Sequence, residues 1–201
     1  ENPEAFTDNH QANGLPGSNG IPDVIDEAKF GMDWLKKMNP SPTEFYNQIA
    51  DDRDHAGYRL PNHDSVVYHP ELKGRPIYLA SSKPQGYKKY KNRSTGLAST
   101  TGKYASAFAL GATVLEPFFP NYVKGMTQKA ENAFKHGKKP PGVSQTAPGG
   151  APYFYEEENW HDDMELASAS LYKLTGKNSY KDHALDYAVK EKTSPWIGKD
   201  T

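Results

Sequence analysis

The stretch at residues 19–38, NGIPDVIDEAKFGMDWLKKM, reads as an amphipathic helix with its start signal attached. Gly20 and Pro22 punctuate the approach, and Pro22 suits a first helical turn, where a missing N–H costs nothing. Asp23, Asp26 and Glu27 load the N-terminal turns with negative charge, and Lys36 and Lys37 sit at the other end, as the helix dipole favours. Ile25, Ala28, Met32, Leu35 and Met38 recur at three- and four-residue spacing, so one stripe faces a core.

Punctuation divides the rest of the chain. Residues 1–20 are rich in Asn, Gly and Pro and read as an irregular lead-in, and Asn39-Pro40-Ser41-Pro42 stops the first helix. Residues 43–90 show no sustained helical period. They hold short extended candidates at 44–49, 65–68 and 76–80, and loops of that length inside a compact protein are usually functional. A helix is expected over 99–115, where Ala105, Ala107, Leu110 and Ala112 allow close packing. After Pro117 and Pro120, Asn121 is expected to cap another that ends near His136. Residues 138–152 form a Gly/Pro loop. Helices at 161–174 and 180–191 follow, with Gly176 at the left-handed stop and Asn178 or Ser179 at the next start, an αα-hairpin. Periodicity alone supports a mostly α chain of helical hairpins separated by long loops.

Composition narrows the function classes. Aromatic residues are 12% of the 201, and their rings serve both as core volume and as faces that stack on sugar C–H groups. A net charge of −1 gives no electrostatic case for nucleic acid or an anionic membrane. There is no cysteine, hence no disulfide and no thiolate metal site. The longest uncharged, mostly apolar run, residues 104–115, is far short of the roughly 20 residues a membrane helix needs. No signal peptide opens the chain and its first residue is Glu1, so a processed protein or a piece of a larger one is expected.

Two clusters could carry chemistry. In Asp51-Asp52-Arg53-Asp54-His55-Ala56-Gly57-Tyr58-Arg59, acids, arginines and a histidine crowd together. Three readings stand side by side: Asp51 and Asp54 as a general-base pair, Asp54 and His55 as the start of a metal site, or an ion-paired loop in which Arg53 and Arg59 neutralise the acids. In the second cluster, residues 153–166, three aromatics, Trp160 and six carboxylates meet at a helix start. Acids there suit the dipole, yet six exceed what capping requires, and a hard cation such as calcium would relieve their repulsion. The basic segment at 85–101, with Tyr87, Tyr90 and Arg93, reads either as a solvated face or as a cleft wall offering donors to sugar hydroxyls.

The wording of several segments resembles family 9 glycoside hydrolases, mostly cellulases and related β-glucanases. Residues 19–38 match that family's helix nearly continuously. Residues 51–61 are similar to its D-x-x-D-H-x-x-(W/Y)-x-x-P segment, and Gly74-Arg75-Pro76-Ile77-Tyr78 to its R-P-x-Y segment. LYKLTG at 171–176 sets the register of residues 153–176 on a further block. The resemblance implies an all-α fold, part of an (α/α)6 toroid with the site on loops at one end. It implies that His55 lines a sugar cleft, that Tyr58 holds a position where relatives commonly have Trp, and that Asp54, Tyr153, Phe154 and Trp160 contact substrate. Arg75 would brace the acidic loop. A structural calcium ion would be held by Asp162 and Asp163 with carbonyls of Glu158 and Asn159, although Asp163 stands where Glu is usual, and a further ligand segment would fall at 196–200. No organic cofactor is implied.

Inverting hydrolysis of a glycosidic bond uses two carboxyl groups roughly 6.5–9.5 Å apart. In family 9 these lie in a D-A-G-D-like motif before the opening helix and an N-E-x-like motif near the end of the domain, and neither occurs here. Residues 1–201 are therefore expected to be a partial catalytic domain without its catalytic carboxylates, from a secreted or periplasmic enzyme acting on β-linked glucan. Its other partner would be the remainder of the same polypeptide. A non-catalytic carbohydrate-binding protein on a decayed glycosidase fold is the alternative. So is a family 9 enzyme for another β-glycan or amino sugar, because residues 58–69 depart from the commoner cellulase wording.

Overall fold

A computed structural model describes residues 5–55, 57–71 and 74–191. Five helices carry it: α1 (Asp23–Lys37), α2 (Ala98–Leu115), α3 (Met126–Gly137), α4 (His161–Thr175) and α5 (Asn178–Lys190). Between α1 and α2 lie two short strands, β1 (Tyr46–Ile49) and β2 (Ile77–Leu79), paired antiparallel, and two 3-10 turns, Asp52–Asp54 and Pro61–His63.

The expected stripe of α1 faces inward: Ile25 and Met38 are buried, and Met32 and Leu35 pack partly against the core. Pro22 sits one position earlier than expected, as the N-cap residue, and its carbonyl accepts the Ile25 N–H at 2.8 Å. Phe30 and Trp34, on other faces of α1, are exposed.

Helix α2 is central and touches α1, α3 and α4. Its small residues make this possible. A Cβ on Gly102 would lie 2.9 Å from the Asp163 backbone in α4, and one on Gly111 would lie 2.7 Å from Met32 Sδ in α1. Phe108, Leu115, Met126, Met164 and Leu171 are the large, fully buried side chains, each worth about 1.5–3 kcal/mol of burial. The α4–α5 hairpin turns at Gly176, whose φ of 69° is the left-handed stop expected of it.

Two expectations change. Helix α3 starts at Met126 after Gly125, whose φ is 85°, rather than at an Asn121 cap. The intervening residues are held by tertiary contacts instead: the Tyr122 hydroxyl donates to Asp33 at 2.7 Å, and Lys36 Nζ lies 3.4 Å over its ring. Residues 65–68 form no strand, because ion pairs rather than a sheet ladder organise that loop.

The hairpin is tied to the helices through Tyr104 of α2. Its hydroxyl donates to the carbonyls of Met38 and Tyr46, and its ring meets Phe45 edge-on at 5.3 Å. This anchor fixes the loop that leaves β1, on which the acidic cluster stands.

Candidate substrate-binding site

Strand β1 is followed by Ala50, a buried non-glycine residue with φ of 64°. Such backbone is disfavoured for L-residues and persists where surrounding contacts over-determine it. Here the Ala50 N–H donates to Pro76 O at 2.8 Å, and the chain turns out of the strand into the acid cluster. Asp51 opens the 3-10 turn and accepts the Arg53 N–H.

The acids have separate partners. Asp51 is buried and grips Arg53 through Nε at 2.7 Å and Nη2 at 2.6 Å, while the Tyr78 hydroxyl donates to its Oδ2 at 2.5 Å. Burial and that hydrogen bond push the Tyr78 phenol up to about 12. The Arg53 guanidinium in turn lies over Tyr87 at 4.0 Å and Tyr68 at 5.0 Å. Asp54 is taken by Arg75 (Nε–Oδ2 2.8 Å) and by Arg59, both of which also reach Asp64. Chiefly through Arg75, and against partial burial, the Asp54 carboxyl is drawn down to about 2. The ion-paired reading of this loop is therefore the one the geometry shows, and Arg75 braces it.

Asp52 points the other way. Its carboxylate accepts the backbone N–H groups of Gly149, Gly150 (2.8 Å) and Ala151 (2.7 Å). Burial pushes its pKa up, and these three donors more than reverse the effect, leaving it below the ordinary carboxylate value. The loop so bound is also held through Gln48, whose amide exchanges hydrogen bonds with Ala147 N–H and carbonyl at 2.5 and 3.1 Å. A Cβ on Gly149 would collide with the Asp51 carboxylate, so glycine is required for this approach.

The docking of these two loops brings aromatic rings together. His55 meets Tyr153 edge-on at 5.5 Å, and Tyr153 meets Tyr155 at 6.0 Å. With Asp52, Asp54 and Gln48 they line a cavity of about 190 Å³. All three rings are exposed, which suits stacking on a sugar. Tyr58 is also exposed but lies outside that lining. Phe154 is half-buried under Arg93, 5.6 Å from its ring, and Arg93 pairs with Glu156 at 3.0 Å and Glu158 at 3.4 Å. Trp160 is packed partly against the core, stacked on His161 at 3.9 Å and edge-on to Tyr187 at 5.9 Å.

Two of the residues expected to hold calcium, Asp163 and Glu158, face cationic side chains. Asp163 pairs with Lys103 at 2.7 Å, and Lys103 also binds Glu157. Burial pushes the Asp163 carboxyl up to about 6 despite the ammonium. Glu158 faces Arg93, Asn159 Oδ1 accepts the His161 N–H at 3.1 Å, and Asp162 is exposed on the first turn of α4. Among the described residues no group of three or more His, Cys, Asp or Glu is arranged to hold a metal ion. The segment at 196–200 lies outside the described residues.

Reading the sequence missed Asp52 as the partner of the glycine pair, Tyr155 as a third ring, and Lys103 as counter-ion to the acids before and within α4. The adjacent glycines Gly149 and Gly150 are a local sign of a close approach, but they do not say to what.

Comparison with known proteins identifies the family. The family model of Glycosyl hydrolase family 9 matches residues 1–200. Endoglucanase 15 of Arabidopsis thaliana is 27% identical over 156 residues, covering 77% of this chain and 28% of that protein. A cellulose 1,4-beta-cellobiosidase of Acetivibrio thermocellus is 26% identical over 182 residues, covering 84% and 18%. The chain thus spans less than a third of either relative. Among solved structures, the cellulase Cel9M of C. cellulolyticum in complex with cellobiose superposes with a TM-score of 0.63 at 21% identity, over 86% of this chain and 35% of that one. A metagenome-derived glycoside hydrolase family 9 endoglucanase gives 0.64 at 24%, over 94% and 30%. These likenesses show the fold: helical hairpins forming part of an (α/α)6 toroid. The chain belongs to glycosyl hydrolase family 9.

Proposed function

We propose that this chain forms one wall of the substrate cleft of an inverting β-glucan hydrolase, with the catalytic carboxylates supplied by polypeptide outside residues 1–201. The observation that carries the reading is the exposed array of His55, Tyr153 and Tyr155 beside a cavity edged with carboxylates. Flat rings give a sugar apolar faces to lie on, and the imidazole adds a hydrogen-bonding nitrogen. A relative solved with cellobiose and curated endoglucanases and a cellobiosidase among the matches support a β-1,4-glucan as the ligand.

Asp51 and Asp54 are poor candidates for proton transfer. Each is saturated by arginine, and Asp54 is drawn far below neutrality. Their part is to hold the loop that presents His55. A polymeric substrate cannot cross a membrane, so the enzyme would work outside the cytoplasm, as a secreted or periplasmic protein, which cell fractionation tests. A calcium at Asp162 and Asp163 would require Lys103 to give way. Calcium titration followed by melting temperature tests that, and no step above depends on it.

The test of the reaction is hydrolysis of soluble cello-oligosaccharides by the complete protein, with the product anomer followed by proton NMR. The α-anomer appearing first supports inversion. First formation of the β-anomer excludes inversion, and absence of cleavage from every β-glucan excludes the reading as a whole.

A further inference from the structure

Three successive backbone N–H groups converging on one carboxylate form an anion-binding concavity, and here the anion is the protein's own Asp52. The position of this contact along the chain matters. Asp52 stands three residues before His55, and Ala151 stands two residues before Tyr153, so one carboxylate joins the two loops whose rings meet at 5.5 Å.

The loop has little else to fix it there. Upstream, the hydrogen bonds of Gln48 end at Ala147, and the Tyr87 N–H holds Pro148 O at 2.9 Å. Downstream, the Tyr155 N–H reaches Thr146 Oγ1 at 2.7 Å. Among the described residues, the backbone N–H bonds made between Gly149 and Phe154 all end on Asp52. Two adjacent glycines give this segment the greatest freedom to lose, so an undocked loop would sample many positions. Asp52 also sits on a turn pinned independently by the Asp51–Arg53–Tyr78 contacts, which makes it a firm post.

We infer that Asp52 is a positioning residue for substrate binding, holding the Tyr153–Tyr155 loop against the His55 turn so that the rings are set before a sugar arrives. The inference rests on the β-glucan reading above. It assigns Asp52 no contact with the reacting bond. Pre-set rings bind substrate and transition state alike, so loosening them raises KM more than it lowers kcat.

The test uses the complete protein with Asp52→Asn and Asp52→Ala, measuring amide hydrogen exchange and kinetics on a soluble cello-oligosaccharide. Asn keeps the volume but turns an N–H toward the loop's own donors. In either variant that folds, the Gly150 and Ala151 amides should exchange about tenfold faster while those of α2 and α4 keep their protection. KM should rise about tenfold, with kcat changed less than about twofold. Unchanged exchange overturns the inference, as does faster exchange with KM unmoved or with the loss confined to kcat. If both variants fail to fold, the unaltered protein decides: protected Gly150 and Ala151 amides support the inference, and freely exchanging ones overturn it. A complete protein that cleaves no β-glucan refutes the proposed function instead, while exchange still decides whether Asp52 holds the loop.

Discussion

The imidazole of His55 and the phenol ring of Tyr153 stand edge to face, 5.5 Å between centroids, though 98 positions separate them (153 − 55). One leaves a 3-10 turn after β1 and the other an irregular loop before α4. Replacing either ring by Ala should weaken cello-oligosaccharide binding by about 1 kcal/mol, roughly fivefold in KM, and the double variant should lose less than the sum. A double-mutant cycle on KM measures this. Full additivity would mean that the two rings serve separate contacts.

Arg75 reaches across from the end of the loop to both Asp54 and Asp64. Arg75→Met removes the charge and leaves Arg59 as the one remaining guanidinium on the two acids. The loop that follows Asp54 and carries Asp64 should loosen. Limited proteolysis should then cut within residues 57–71 faster than in the unaltered protein, and salt should speed cleavage of the unaltered protein as it screens the same pairs.

Helix α2 meets α4 where Gly102 faces the Asp163 backbone, with room for no Cβ. Gly102→Ala gains helix propensity but forces two backbones apart, so destabilisation of about 1–3 kcal/mol is expected. Denaturant unfolding at constant m-value checks it. A neutral or stabilising outcome would show that α2 and α4 do not approach this closely.

The two perturbed acids pull the pH profile of stability in opposite directions. Asp163 has a folded pKa near 6, above its ordinary 3.8, so unfolding releases its proton between those values. Stability from this group therefore rises as pH falls from about 6 toward 3.8. Asp54, held near 2, contributes above 3.8 and loses that contribution as pH falls further toward 2. Melting temperature against pH should pass through a maximum on the acid side of neutrality. Asp163→Asn should flatten the limb above the maximum and leave the acid limb in place.

How far the chain could be read without its structure depended on the range of the interaction. Helices α1, α4 and α5 were legible because periodicity, dipole-matched charges and Gly176 are local signals. The start of α3 was not, since Tyr122 is captured by Asp33 and Lys36, 89 and 86 positions away (122 − 33 and 122 − 36). His55 and Tyr153 were legible only through resemblance, because nothing local states that two loops so distant will dock. Asp52 looked like one acid among several, and only the fold shows that it binds the glycine pair. Lys103 was missed for the same reason. It sits 60 positions from Asp163, whose carboxylate it pairs with (163 − 103).

The most direct test of the sugar-binding wall is to titrate a soluble cello-oligosaccharide into the complete protein and follow the ring signals of His55 and Tyr153 by NMR. Saturable shifts of both are expected, with one common affinity, and with Tyr153 replaced by Ala the His55 shift should need roughly fivefold more sugar to saturate. Saturable binding that leaves both rings unmoved, or no binding at all, would contradict it.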